Sequence, residues 1–115
     1  MNNPALAISD EPLAIIERDF SGLYSGELGL SPISGGQTAA DAALAALDIT
    51  GYAARRSQVF PESSRGASVL SPYIRHNILT LDTVWQRVRT APPKDRDKYR
   101  DELLWQEYAR HLYAR

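Results

Sequence analysis

YRDELLWQEYARHL, residues 99–112, decides the fold class. Its apolar residues fall four apart, Tyr99 with Leu103 and Leu104 with Tyr108 and Leu112. That spacing stacks side chains along one side of an α-helix, whereas a strand would repeat every two residues. The two series form adjacent apolar ridges and leave Arg100, Gln106, Arg110 and Arg115 to solvent or to a partner. Pro92-Pro93 stops whatever helix precedes them, and the carboxylates of Asp95 and Asp97 suit a helix N-terminus. The last helix is therefore expected to begin around Asp95 to Asp97 and to reach the end of the chain.

Working back from this segment, Thr80 can cap a helix carrying Val84, Trp85 and Val88, with Asp82 favouring the positive end of its dipole. Before it, Ser71-Pro72 reads as the cap and first position of a short helix, and Asn77 can take the left-handed conformation that ends it. Pro61, the serines after it and Gly66 mark a connector. QTAADAALAALDITGYAARR, residues 37–56, is rich in alanine and leucine with Ala40, Leu44 and Leu47 at helical spacing, so a helix is expected here; if it runs unbroken to Arg56, Tyr52 is in its last turns. Gly51 is the weak point in that run. Five glycines, Pro32 and several serines make residues 21–36 a connector. A first helix is expected to start near Ser9 or Asp10, with Glu11 and Pro12 in its first turn and Leu13, Ile16 and Phe20 on its apolar side. No strand pattern, repeat or heptad run competes. The expectation is an all-α, bundle-like array of four or five helices, with residues 1–35 an N-terminal helix and connector and 36–115 the helical domain.

Composition narrows the function classes. At 115 residues the chain is one domain at most, able to bury about 65% of its unfolded surface. A net charge of −1 excludes binding to nucleic acid through an overall basic field, so any DNA contact would depend on a local arginine cluster. The absence of cysteine removes disulfides, thiolate zinc sites and thiol catalysis together. The first twelve residues have neither a basic n-region nor an apolar h-region, and no later stretch is apolar enough to span a membrane, so a cytoplasmic protein is expected.

Three segments, in order and at matching spacing, resemble the FAD-binding domain of DNA photolyases and cryptochromes. Gly66-Ala67-Ser68-Val69-Leu70-Ser71-Pro72-Tyr73-Ile74-Arg75 looks like that family's T-S-x-L-S-P-Y-L segment. YRDELLWQEYARHL is similar to its F-x-x-E-L-x-W-R-E-F-Y-x-x-L helix. Gly35-Gly36-Gln37-Thr38-Ala39-Ala40, with Tyr52, resembles the helix before the flavin loop. The resemblance covers roughly residues 35–115 and implies that they are the opening helices of such a domain. It implies FAD as cofactor, held by Tyr52, Ser68, Val69, Leu70, Ser71 and Gln106, with the serine loop and Tyr52 at the diphosphate, where hydroxyls and amides can bind phosphate without a basic domain. It also implies that Glu102 and Trp105 face a flipped-out lesion in damaged DNA, the indole as a stacking surface.

Several positions depart from the pattern. Gln106 stands where the family has arginine, Ala109 replaces an aromatic, Ala67 a threonine, and His76-Asn77 the usual Phe-Gly. No antenna domain has a counterpart, so no antenna chromophore is expected. The family's remaining flavin contacts and electron-relay tryptophans fall beyond Arg115, which implies a truncated chain completed by a downstream segment or a second polypeptide. The uncovered apolar faces of the last two helices then lead us to expect self-association.

More ordinary roles exist for the same residues. Ser71-Pro72 is a sufficient helix cap, Tyr108 fits a core aromatic, His111 fits an exposed ion pair with Glu107 rather than a metal ligand, and Arg55, Arg56, Arg65 and Arg75 fit solvated surface charge. Two functions follow: part of a photolyase/cryptochrome-like flavoprotein in light-driven repair or blue-light signalling, or a helical interaction module without flavin.

Overall fold

The computed structural model describes residues 11–114. Among them there are six α-helices, one 3-10 turn and no strand, so the all-α reading holds. The helices are α1 (Pro12–Asp19), α2 (Gln37–Ala45), α3 (Tyr52–Arg55), α4 (Ser71–Arg75), α5 (Leu81–Arg87) and α6 (Pro93–Tyr113), with the 3-10 turn at Glu62–Ser64. The chain divides between Ser34 and Gly35 into two units. In the first, α1 starts with Pro12 at a position where a missing N–H costs nothing, and it buries no residue fully. Ser9 and Asp10, the expected caps, lie outside the described residues.

The second unit holds the core: Ala40, Leu47, Ile49, Leu70, Tyr73, Ile74, Leu79, Val84, Val88, Tyr99 and Leu103 are buried. Helix α6 is its spine and packs against α3 and α5. It starts at Pro93, two residues before the carboxylates expected to open it, because proline is pre-set for the first helical position. Thr80 caps α5 as expected, its Oγ1 accepting the Thr83 amide at 3.1 Å. Asn77 takes the left-handed conformation, φ 60°, after α4.

Four expectations are corrected. The helix over residues 37–56 is two helices. Arg87 donates from Nε to the Leu44 carbonyl at 3.0 Å and from Nη2 to that of Ala45 at 2.9 Å, satisfying the end of α2 from more than forty residues away. The chain restarts at Gly51, whose φ of 81° only glycine adopts freely. Ser71 is not the cap of α4 but its first residue; Leu70 occupies the cap position and no side chain caps the helix. Tyr108 is not a core aromatic: α6 turns its Tyr99–Leu103 ridge inward and leaves Leu104, Tyr108 and Leu112 exposed. Arg100 does not face outward, since its guanidinium stacks 4.5 Å over the Trp85 ring and Nη2 donates to the Trp85 carbonyl at 2.9 Å, joining α5 to α6. No helix among the described residues is long and apolar enough to cross a membrane.

Candidate functional site

A turn that cannot relax shapes the site. Ser68 is tied to Tyr99, with its Oγ 3.0 Å from the phenolic oxygen, and Leu70 is buried in the core. Val69, caught between them, adopts φ 59°, a left-handed conformation that a β-branched residue avoids. Such conformations cost on the order of 1–3 kcal/mol and persist only where both neighbours are fixed. Gly66 fixes the other end of the connector. Its amide donates to the Gln58 carbonyl at 2.9 Å, and its Cα lies so close to Arg55 that a Cβ would collide with that residue's carbonyl oxygen.

Facing this turn is α3, placed by α6. The Asp95 carboxylate accepts the Gly51 amide at 2.8 Å and the Ala53 amide at 3.0 Å, straddling Tyr52. Those bonds, that from Ala53 the larger effect, hold the Asp95 carboxyl below its ordinary range. One turn further along α6, the Tyr99 ring meets that of Tyr52 edge-on, with centroids 4.9 Å apart. Burial pushes both phenols above their ordinary value, with the Glu102 charge adding to the effect at Tyr52, so both keep a proton they can donate.

Between these elements lies a cavity of about 310 Å³, lined in part by Tyr52, Arg56, Arg65, Ser68, Ser71 and Glu102. Val69, Tyr99 and Gln106 complete the walls that matter chemically. Its charged lining is two arginines against one carboxylate, a surplus of one positive charge. The pairing is loose: Glu102 lies 3.7 Å from Arg56 Nε and 3.4 Å from Lys98 Nζ, and Arg65 Nη2 lies 4.0 Å from Glu62 Oε1, on an exposed rim where such pairs contribute little. Ser71, Pro72, Ile74 and Gln106 also line a second, shallower groove of about 1130 Å³ that runs along the C-terminal half of α6.

Of the residues singled out in the sequence, Tyr52, Ser68, Val69, Ser71, Glu102 and Gln106 line this one cavity. Leu70 and Trp105 do not. Leu70 packs in the core, and Trp105 is 65% exposed, its ring edge-on to Tyr108. The sequence reading missed Tyr99 as a site residue by treating it only as part of an apolar ridge; a buried phenol needs a polar partner, which was the available signal. Arg56 and Arg65, read as solvated charge, line the cavity, while Arg55 turns back to the Thr50 carbonyl at 2.8 Å. His111 Nε2 lies 3.4 Å from Glu107 Oε1, and among the described residues no group of side chains is arranged to hold a metal. No protein-family model, curated protein or solved structure matches the chain.

Proposed function

We propose that the cavity seats the diphosphate of FAD and that the chain works as part of a photolyase/cryptochrome-like flavoprotein. The observation that carries this reading is the convergence of Tyr52 from α3 and of Ser68 and Ser71 from the turn leading into α4, with Arg56 and Arg65, around one small space. Protonated phenol and hydroxyl groups donate to phosphate oxygens, and guanidinium groups match them in charge and geometry. The residues therefore fit the diphosphate. A volume of about 310 Å³ is at the low end for a ligand pocket and takes only part of a dinucleotide. The adjoining groove offers room for more. When bound and reduced, FAD supplies a light-driven electron; the protein's contribution is binding and orientation. Damaged DNA, with Glu102 and Trp105 toward it, is the partner of the repair form of this proposal.

A second reading, a helical interaction module without flavin, is favoured by one observation. Leu104, Trp105, Tyr108, Leu112 and Tyr113 are all exposed on α6, which suits a partner surface or self-association.

Titration of FAD with the protein, followed by flavin fluorescence, separates the two. The flavin reading expects saturable binding that the Ser68→Ala, Ser71→Ala double variant weakens by about tenfold or more, the worth of a hydrogen bond to a charged group. Equal binding by that variant overturns the phosphate assignment, and no binding by the wild-type chain leaves the module reading.

A further inference from the structure

Tyr99 belongs to the buried part of the cavity wall: it is 3% exposed, and the Ser68 hydroxyl is the partner of its phenolic oxygen. We propose that Tyr99 is a positioning residue that aims the Ser68 hydroxyl at a phosphate oxygen of the bound ligand. The inference rests on the anion-binding reading of the cavity and adds to it a second residue behind the first contact.

Each of the two hydroxyls has one hydrogen to donate. If Ser68 donates to Tyr99, the serine has no hydrogen left for a ligand. If Tyr99 donates to Ser68, the serine hydrogen is free to point into the cavity. A phosphate oxygen can only accept, so it selects the second arrangement and forms the chain Tyr99 O–H to Ser68 Oγ–H to phosphate oxygen. Donors linked in this way polarise each other, strengthening each bond by roughly 10–30%. Burial keeps the phenol protonated, as the first link requires. The backbone serves the same end. Val69 holds its left-handed conformation only while Ser68 and Leu70 are both anchored, and Tyr99 is the anchor on the Ser68 side. The Tyr99 ring, edge-on to Tyr52, sets a second cavity donor from the same side chain. One buried residue thus places two of the groups that would meet the anion.

A merely structural Tyr99–Ser68 tie would affect stability without coupling to the ligand, and a double-mutant cycle separates the two roles. Wild type, Tyr99→Phe, Ser68→Ala and the double variant are titrated with FAD and, separately, with inorganic pyrophosphate by calorimetry, at a temperature where circular dichroism finds every protein folded. Each single variant is expected to bind about tenfold more weakly, and the double variant no more weakly than Ser68→Ala alone, because the phenol acts through the serine. Ser68→Thr, which keeps a hydroxyl, is expected to restore most of the affinity. Tyr99→Phe binding as well as wild type, or weakening binding equally with and without Ser68, overturns this inference and leaves the diphosphate reading standing. Failure of the wild-type chain to bind either probe overturns both.

Discussion

Gly66 sits where the connector between α3 and α4 folds back against the end of α3, and its requirement there is for the absence of a side chain. The atom that a Cβ would strike is the backbone carbonyl of Arg55, which cannot swing away as the end of a flexible side chain would. Gly66→Ala is therefore expected to destabilise the protein by more than about 2 kcal/mol, at the upper part of the range for overpacking, read as a lower urea midpoint. A change within about 0.5 kcal/mol would show that the connector is free to part from the end of α3. The same close approach keeps Arg56 and Arg65 on one wall of the cavity, so the variant is also expected to weaken anion binding. At this scale the structure shows why Ser71 does not cap its helix. The preceding turn is set by Val69 between two anchors, one in the core and one on α6, and that geometry places Leu70 rather than Ser71 at the cap position.

Among the elements, α3 is the one held by others. Four residues long, it is far below the length at which a helix is stable alone. It is secured instead by the Asp95 carboxylate on α6, which accepts two amides at its start. Because the carboxyl is more acidic folded than unfolded, its contribution is complete above the ordinary carboxylate value, near pH 4, and is lost as pH falls through the lower native value. The stability gap between wild type and Asp95→Asn is expected to be present at neutral pH and to shrink as pH falls below the ordinary carboxylate value, measured by urea unfolding at a series of pH values. A gap that does not change with pH would mean that the charge of Asp95 contributes nothing. The α2–α3 region also shows where sequence pattern stops being informative. Alanine and leucine favour a continuous helix over residues 37–56, and local propensity gives no reason for it to end at Ala45. The break is fixed by Arg87, distant in sequence, and by the left-handed turn at Gly51. By contrast, the Thr80 cap, the Asn77 turn and the existence of α6 rest on interactions within a few residues, and each was legible before any coordinates.

For the molecule as a whole, the all-α class followed from side-chain spacing, but which ridge of α6 faces the core did not. Tyr99–Leu103 and Leu104–Tyr108–Leu112 are equally apolar in sequence, and only the packing of α3 and α5 chooses between them. The candidate site was legible to the extent that its residues sit in short motifs. Its closure was not, because Arg56, Arg65 and Tyr99 join it through long-range contacts. The central claim is that the cavity between α3, the Ser68 turn and α6 receives a dinucleotide's diphosphate. Titrating the isotopically labelled protein with pyrophosphate while following backbone amide resonances by NMR tests it most directly. The account predicts saturable shifts concentrated in residues 51–56, 65–71 and 99–106. Shifts that are absent, or that gather on the exposed Leu104–Tyr113 face and spare the cavity, would contradict it.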